Sequence, residues 1–215
     1  MDDIRKKMRD LRRDFNFGTL AVTDVPENPM VLFKAWLNDA IQFEIKDANA
    51  FVLSTSVDNQ PYSRVLLLRD ITKDGFHFYT NYGSMKSKEI AINPKAAINI
   101  FWPDMDRQIR CHVEIEKLDS KLSDDYFQTR PRASQIGAWA SIQSQELESR
   151  KGLELRITEF EKKFEGKEVP RPEFWGGFEA KINYFEFWQG RPSRLHDRII
   201  YESQVNKWKI KSLYP

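Results

Sequence analysis

Residues 51–81 read FVLSTSVDNQPYSRVLLLRDITKDGFHFYTN, and this stretch decides the fold class. It contains three runs rich in β-branched and aromatic residues, separated by turn signals at Asp58-Asn59 and at Lys73-Asp74-Gly75. Such runs with short links are typical of antiparallel strands. The last two runs, 61–71 and 75–81, predict a hairpin.

The segments on either side extend the strands and add helices. Helices are predicted over residues 30–45, 84–92, 119–140 (broken at Arg130-Pro131) and 148–164. Further strands are predicted over 95–102, 107–118, 178–188, 198–202 and 208–213. The last three are too few and too short for a separate sheet, so we expect them to complete the earlier one. The sequence predicts a mainly β, antiparallel fold with flanking helices (α+β), as a small closed or half-closed barrel.

Residues 1–28 are interpreted separately from the rest of the chain. A helix over 2–15 would place Ile4, Met8, Leu11 and Phe15 on one thin apolar stripe, while its other positions are strongly basic. We expect a segment that docks conditionally. Residues 29–215 are predicted to form a single domain, because the loop over 166–172 is too short for a domain linker.

Composition excludes several classes of function. The 215 residues carry a net charge of only +2, which gives no reason to expect bulk nucleic-acid binding. The single cysteine, Cys111, excludes an intrachain disulfide and a zinc site of several thiolates, and we expect it in the core. No apolar run approaches membrane-spanning length and the N-terminus lacks the apolar centre of a signal peptide, so we expect a cytoplasmic protein without a membrane partner.

Familiar catalytic motifs are missing. The sequence has no glycine-rich dinucleotide fingerprint, no Walker loop and no HExxH helix. Its three histidines are scattered, and His77 and His112 lie in alternating strands where a structural role is favoured. A histidine-based metal site is therefore not expected.

The stretch 188–198, WQGRPSRLHDR, is the densest group of cations. Arg191, Arg194, His196 and Arg198 lie within eight residues and repel one another unless an anion is bound among them. A solvated basic turn is the alternative, and composition alone leaves both readings open.

Anion-binding groups recur beside aromatic residues elsewhere in the chain. Arg64 and Arg69 belong to one strand, Tyr79-Thr80 ends the next, and Ser84 with Lys86 begins a helix, where backbone N–H groups favour phosphate. A further set recurs at spacings of four, which predicts one face of a helical stretch: Tyr126, Arg130 and Ser134. Together these groups favour a large, planar, phosphorylated ligand.

Eight segments carry a resemblance to a known family. In chain order they read SRVLLLRD, FYTNYGSMKSKE, RQIR, YFQTRPRASQIGAW, QSQ, WGGF, EFWQGRPSRLHDR and WKIKSLYP. The chain thereby resembles the pyridoxine (pyridoxamine) 5′-phosphate oxidases from about residue 10 to the C-terminus. The segments RPRASQIGAW and FWQG…RLHDR are the most specific.

The resemblance implies an FMN-binding split β-barrel that forms a homodimer, with each FMN held at the subunit interface by both chains. It also implies oxidation of pyridoxamine or pyridoxine 5′-phosphate to pyridoxal 5′-phosphate. Hydride would pass to FMN, and O2 would accept the electrons to give H2O2.

Site residues carry over at matching positions. The resemblance implies FMN contacts at Arg64, Val65, Leu66, Leu67, Leu68, Arg69, Tyr79, Thr80, Lys86, Gln108, Gln143, Ser144, Trp188 and Arg198. It implies substrate contacts at Arg12 (in an N-terminal lid), Arg69, Tyr126, Arg130, Ser134, Arg194 and His196, the last two being catalytic. Arg191 matches no role and is expected to face solvent.

Three positions depart from the family pattern. Arg69 stands where lysine is usual, Met85 where arginine is usual, and Phe15 where some members have tyrosine. Arg69 retains the positive charge of the lysine. Met85 removes one partner of the FMN phosphate, and Phe15 removes a hydroxyl. We expect an active enzyme with altered affinity.

Several alternatives stay open at this point. The chain could be a split-barrel flavoenzyme acting on another substrate, such as a phenazine precursor, or a non-catalytic protein that binds pyridoxal phosphate. His196 could accept a proton or only orient the substrate. The preference between amine and alcohol substrates and a second product site are not encoded in these motifs.

Overall fold

Within residues 2–205 and 207–215, the part of the chain that this computed structural model describes, nine strands pair into one antiparallel sheet. The strands are β1 Ala50–Val57, β2 Gln60–Leu67, β3 Asp70–Ile71, β4 Gly75–Asn81, β5 Lys95–Trp102, β6 Arg107–Lys117, β7 Trp175–Gln189, β8 Asp197–Gln204 and β9 Lys207–Leu213. The order along the sheet is β2-β1-β5-β6-β7-β4-β3, and β8 pairs with both β7 and β9. The late strands thus complete the earlier sheet, as predicted.

Six helices accompany the sheet over the same residues. They are α1 Asp2–Asp10, α2 Pro29–Gln42, α3 Met85–Ile92, α4 Ser120–Thr129, α5 Arg132–Ala140 and α6 Arg150–Lys163. None of the helices described is long and apolar enough to cross a membrane.

The described chain divides into two compact units. The first unit contains residues 1–48, 99–111 and 184–215, and the second contains residues 49–98 and 112–183. Strands β5, β6 and β7 each contribute residues to both units. The predicted boundary between a segment 1–28 and a single domain 29–215 stays a prediction.

The hairpin prediction was partly wrong. β2 ends at Leu67, so the run 61–71 is divided, and only Asp70 and Ile71 pair with β4. The main partner of β2 is β1, across a two-residue turn in which Asp58 and Asn59 have φ values of 50° and 61°. Such left-handed pairs match the twist of hairpin strands, and Asp and Asn adopt them at low cost.

The N-terminal helix is shorter than predicted. α1 ends at Asp10, and Ile4, Met8 and Leu11 are 62%, 66% and 81% exposed. The apolar stripe therefore has no core to pack against along α1. Phe15 lies beyond the helix end, where its ring packs on other groups of the first unit.

Aromatic side chains fill the core of each unit. In the first unit, the Phe187 ring lies 5.3 Å from that of Trp36 and 5.7 Å from that of Tyr201. In the second, Phe127 packs edge-on against Trp175 at 5.1 Å. Fully buried rings of this kind each contribute about 1.5–3 kcal/mol by leaving water. Cys111 is fully buried, as predicted, and burial raises the pKa of its thiol.

Candidate active site

A cavity of about 410 Å3 in the second unit gathers many of the predicted residues. Its lining includes Leu66, Arg69, Tyr79, Thr80, Lys86, Tyr126, Arg130, Ser134 and Gln143. Strand β4 supplies Tyr79 and Thr80, and α3 supplies Lys86. The segment from α4 to α5 supplies Tyr126, Arg130 and Ser134. Residues far apart in the chain therefore meet around one space.

Lys86 supplies a cation whose acceptors are uncharged. Its Nζ donates to Thr80 Oγ1, Ser84 Oγ and Gln143 Oε1, each at 3.1 Å. Burial lowers the pKa of Lys86, the nearby Arg64 lowers it further, and Glu89 opposes both. Because these acceptors leave the positive charge uncompensated, the position favours a bound anion.

Ser84 lies at the start of a helix, as predicted. It occupies the N-cap position of α3, but its side chain makes no capping hydrogen bond. Its hydroxyl accepts from Lys86 and lies 3.1 Å from Ser87 Oγ. The serine therefore helps to orient the lysine instead of closing the helix end.

Arg64 is held by a buried carboxylate that sequence reasoning missed. Its guanidinium contacts Glu89 Oε2 at 2.5 Å and Thr55 Oγ1 at 2.6 Å, and Glu89 is only 4% exposed. Charge at a buried site requires such pairing. Among the residues that follow Arg64, Val65 is 66% exposed and Leu68 is buried, so the cavity is reached by Leu66 and Arg69.

Arg130 carries a buried polar atom without a partner. Among the residues described, no hydrogen-bond acceptor meets its NH1 atom, and its guanidinium carbon lies 4.4 Å from the centre of the Trp175 ring. Burial lowers the pKa of Arg130, and the charge of Arg69 lowers it further, opposed by Tyr126. A buried, unpaired donor is costly unless a ligand completes it. The atom is therefore a candidate contact for an anionic ligand.

The reason given for grouping three of these residues was wrong. Tyr126 lies in α4 and Ser134 in α5, while Arg130 stands between the helices with extended φ and ψ of −75° and 145°. Pro131 follows it, and the residue before a proline avoids helical geometry. The three still line one cavity because the chain turns there.

Three aromatic rings stack beside this cavity. Tyr79 lies 3.8 Å from Tyr126 and 5.7 Å from Trp175, centroid to centroid, and the planes are nearly parallel. Burial, assisted by the charge of Asp70, raises the pKa of Tyr79 to about 12. Trp175 was not among the predicted site residues, although the quoted WGGF segment contains it.

The two glycines of WGGF make room for tyrosines. A Cβ at Gly177 would lie 2.7 Å from the Tyr79 ring, and one at Gly176 would lie 2.2 Å from the Tyr82 hydroxyl. Both distances are shorter than van der Waals contact, so the glycines allow the rings to lie on the strand.

A second group of predicted residues lies in the first unit. His196 Nδ1 accepts a hydrogen bond from the backbone N–H of Arg191 at 3.0 Å. Its ring is 4.6 Å from that of Trp188 and 5.2 Å from that of Phe15. Burial lowers the pKa of His196 and the charge of Arg194 lowers it further, whereas Asp106 and Asp197 raise it. The ring is therefore mainly neutral at pH 7, with its proton on Nε2.

Arg194 and Arg12 line the same cavity. This space of about 840 Å3 is bounded by residues 10–15 together with Ser193 and Arg194. Ser193 and Arg194 both have left-handed backbones, with φ of 56° and 62°. The structure thus brings together two of the predicted substrate residues.

Arg191 was wrongly expected to face solvent. Its guanidinium NH1 lies 2.9 Å from Asp197 Oδ2, and that carboxylate also accepts from the backbone N–H of Leu20. Through its own backbone N–H it also holds His196.

Arg198 is fixed by a second buried carboxylate. Its Nε donates to Glu186 Oε1 at 2.9 Å and its NH1 to the Tyr214 carbonyl at 2.9 Å. Burial acts to raise the pKa of Glu186, but Arg198 and Arg110 together hold it below its ordinary value. The flavin contact predicted for Arg198 would therefore use the rest of its guanidinium.

The predicted residues thus form two sets, one in each unit. Gln108, Trp188, Arg194, His196, Arg198 and Arg12 belong to the first unit; Arg64 to Arg69, Tyr79, Thr80, Lys86, Tyr126, Arg130, Ser134, Gln143 and Ser144 belong to the second. Gln108 is half-buried, and Ser144 is exposed with a φ of 68°. Over the described residues, no cluster of three or more His, Cys, Asp or Glu side chains could hold a metal ion.

Two family profiles match this chain. One, described as pyridoxamine 5′-phosphate oxidase, matches residues 37–164, more than half of the chain. The other, described as the C-terminal dimerisation region of pyridoxine 5′-phosphate oxidase, matches residues 175–215.

Full-length relatives agree with both profiles. A protein of Christiangramia forsetii is 45% identical over 214 residues, covering 99% of this chain and 100% of the relative. One of Thermosynechococcus vestitus is 43% identical over 210 residues, covering 97% and 99%. Both are named pyridoxine/pyridoxamine 5′-phosphate oxidase.

Solved structures share the fold. PhzG from Burkholderia lata 383, solved in complex with tetrahydrophenazine-1-carboxylic acid, superposes with a TM-score of 0.85 at 28% identity, covering 92% of this chain and all of PhzG. A pyridoxamine 5′-phosphate oxidase-related, FMN-binding protein of Nostoc punctiforme gives a TM-score of 0.67 at 16% identity, with the same coverage. The fold class predicted from the sequence is confirmed. By its matched profiles and full-length relatives, the chain belongs to the pyridoxamine 5′-phosphate oxidase family.

Proposed function

We propose that this protein is an FMN-dependent oxidase that converts pyridoxamine or pyridoxine 5′-phosphate to pyridoxal 5′-phosphate, with O2 as acceptor and H2O2 as by-product. The observation that carries the proposal is the unpartnered NH1 of Arg130, in the cavity that also receives Lys86. Arg130 has a free donor and Lys86 has a charge that no carboxylate compensates, and both features suit phosphorylated ligands. The names of relatives 42–45% identical to this chain support the same activity.

The residues present fit FMN. Lys86, with its uncharged acceptors, and the hydroxyl of Thr80 and amide of Gln143 beside it form a polar, positively charged end suited to a phosphate. We assign the FMN contacts to this group, to the segment 64–69, and to Tyr79, Ser144, Gln108, Trp188 and Arg198. When bound, FMN supplies the redox chemistry that amino acid side chains lack.

The substrate is assigned to the remaining groups. Arg130, with Tyr126, Ser134 and Arg69, would hold the substrate phosphate. Arg194 and His196 would contact the pyridine ring and its substituents, and Arg12 would cover them. Binding through several fixed groups orients the reacting carbon and removes part of the entropic barrier.

The hydrogen bonding of His196 supports one of its two candidate roles. Since Nδ1 accepts from the backbone of Arg191, the neutral ring carries its proton on Nε2. An Nε2–H group donates a hydrogen bond and cannot accept a proton. We therefore assign His196 to orienting a substrate oxygen or nitrogen rather than to general-base catalysis.

Subunit arrangement and location complete the proposal. The matched dimerisation region supports a homodimer. We further propose that each FMN lies at the subunit interface, held by both chains, and that the protein is cytoplasmic.

One alternative substrate has a specific observation in its favour. PhzG superposes closely on this chain, and its structure contains tetrahydrophenazine-1-carboxylic acid. Its 28% identity is lower than the 45% of the oxidase from Christiangramia forsetii, so we place the B6 vitamers first. A non-catalytic pyridoxal phosphate binder is the third candidate.

Anaerobic spectroscopy separates the three candidates. Addition of pyridoxamine 5′-phosphate should bleach the flavin absorbance of the purified protein, because the substrate reduces FMN. In Arg194→Ala the flavin should stay bound and bleach at least about tenfold more slowly, since charge developing at the ring loses its partner. Bleaching only by tetrahydrophenazine-1-carboxylic acid would favour the alternative, and tight aldehyde binding without bleaching would favour the third.

A further inference from the structure

A buried carboxylate in the first unit holds the chain just after α1. Asp106 is 4% exposed, and its Oδ2 accepts from the backbone N–H groups of Asn16 at 3.0 Å and Phe17 at 3.3 Å. Its Oδ1 pairs with the guanidinium of Arg13, which also donates to the Pro103 carbonyl at 2.9 Å. We call this set of contacts the N-terminal clasp (Asp106 with Arg13, Asn16 and Phe17).

The backbone of Asp106 is fixed as firmly as its side chain. Its carbonyl accepts from the Gly190 N–H at 2.7 Å and from Gln189 Nε2 at 3.2 Å. Its φ of 51° is left-handed, which Asp and Asn tolerate better than most residues. One residue thereby joins the N-terminal segment to the loop that follows β7.

The clasp determines where Phe15 lies. The Phe15 ring meets the Trp188 ring edge-on at 5.7 Å and the His196 ring edge-on at 5.2 Å. A Cβ at residue 190 would come within 2.7 Å of that ring, so Gly190 leaves the space it occupies. The guanidinium carbon of Arg13 lies 4.5 Å from the centre of the ring. Phe15 is half-buried, and its contacts with Trp188 and His196 require the segment to be fastened.

We propose that Asp106 is a positioning residue that fastens residues 13–17. It thereby holds the Phe15 ring against His196 and keeps Arg12 at the cavity that Arg194 also lines. This role rests on the proposed function, in which Arg12, Arg194 and His196 contact the pyridine ring of the substrate. It needs no hydroxyl at position 15, since Phe15 acts through its shape.

Asp106→Asn tests the proposal against the matched control Asp104→Asn. Asparagine keeps the left-handed turn but weakens all three hydrogen bonds to the carboxylate, whereas Asp104 is exposed on the same turn. Trypsin should cleave within residues 5–13 about tenfold faster in Asp106→Asn, because hydrogen bonds to a charged group are the stronger ones. Asp104→Asn should match the parent protein. Equal cleavage rates in all three proteins would overturn the proposal.

Steady-state kinetics supply a readout that mere destabilisation does not move. For the FMN-loaded enzyme, the KM for pyridoxamine 5′-phosphate should rise about fivefold in Asp106→Asn with kcat nearly unchanged, since binding groups are loosened and reacting groups are kept. A fall in kcat alone would contradict a positioning role.

A second variant keeps the test decisive if Asp106→Asn does not fold. The Arg13 side chain is 51% exposed, so Arg13→Ala removes one arm of the clasp without opening the core. It should also speed tryptic cleavage, which is scored after Arg9 and Arg12 because the variant lacks the site at residue 13. Unchanged cleavage would count against the clasp. If the parent protein does not oxidise pyridoxamine 5′-phosphate, the proposed function fails, while the cleavage comparison still decides whether the clasp exists.

Discussion

Lys86 and Arg130 show how burial turns an ordinary cation into a binding group. Both lose water on folding, and burial is the first cause of the lowered pKa of each. Neither has a carboxylate within hydrogen-bonding distance among the described residues, in contrast to Arg64 with Glu89 and Arg198 with Glu186. Arg64 and Arg198 are held in place by their carboxylates, whereas the charges of Lys86 and Arg130 remain available to an anionic ligand.

Lys86 gives a prediction about cofactor retention. Lys86→Ala should weaken FMN binding about 10- to 100-fold, because a charge-assisted hydrogen bond contributes about 1.5–3 kcal/mol. Fluorescence titration of the apoprotein with FMN measures the Kd. The control is Lys88→Ala, an exposed lysine on the same helix, whose Kd should equal that of the parent. A variant that purifies with as much flavin as the parent would contradict the assignment.

His196 gives a prediction about pH. Its pKa lies below 6.5, since burial and Arg194 outweigh Asp106 and Asp197, so the ring is neutral at pH 7 and gains a proton only in more acidic solution. Protonation places a proton on Nδ1 and breaks the bond from Arg191. The kcat/KM should therefore be constant at neutral and alkaline pH and fall as the pH drops through the lowered pKa. Profiles of the parent and His196→Gln test this, because the acid limb should disappear in the variant.

Strand β7 connects the elements of the second unit that carry the site. Its first residue, Trp175, stacks with Tyr79 and lies under Arg130, and its next two residues are the glycines that admit tyrosine rings. One strand end therefore sets the positions of groups from β4 and from the α4–α5 turn.

Gly177→Ala should lower the free energy of unfolding by about 1–3 kcal/mol, because the new methyl overlaps the Leu118 side chain and the Tyr79 ring. Gly137→Ala is the matched control: nothing lies within 4 Å of its Cβ position in α5, and it should be neutral or stabilising by up to about 1 kcal/mol. Urea denaturation measures both changes. Equal stability of the two variants would show that the ring moves aside freely.

Local patterns predicted most element bounds, and long-range contacts explain the misses. The pattern placed β4 and β5 at their observed limits, since alternation and turn residues act within a few positions. It missed the break in 61–71, where the Leu68 N–H donates to the carbonyl of Asn49, nineteen residues earlier, while the Arg69 N–H donates to the His77 carbonyl of β4. Likewise, Glu89, Glu186 and Asp106 have no local signal, because their roles arise only when partners remote in sequence meet.

At the scale of the whole molecule, the homodimer is the property that the matched C-terminal region supports. Size-exclusion chromatography with light scattering should give twice the chain mass of 25.4 kDa for the FMN-loaded protein. Because we propose that both subunits hold each FMN, dilution that separates the subunits should release the cofactor. A monomer that retains FMN would contradict the interfacial site.

The left-handed backbone at Ser193 and Arg194 lowers the stability of the protein at a residue that we assign to its activity. Each such residue costs about 1–2 kcal/mol relative to a right-handed one, a cost that glycine avoids. A screen that selects only for heat resistance would therefore favour glycine at position 194. The proteins it enriched would be more robust and would lack the guanidinium that we assign to the substrate ring, so thermostabilisation of this enzyme requires the loop to be excluded from mutagenesis.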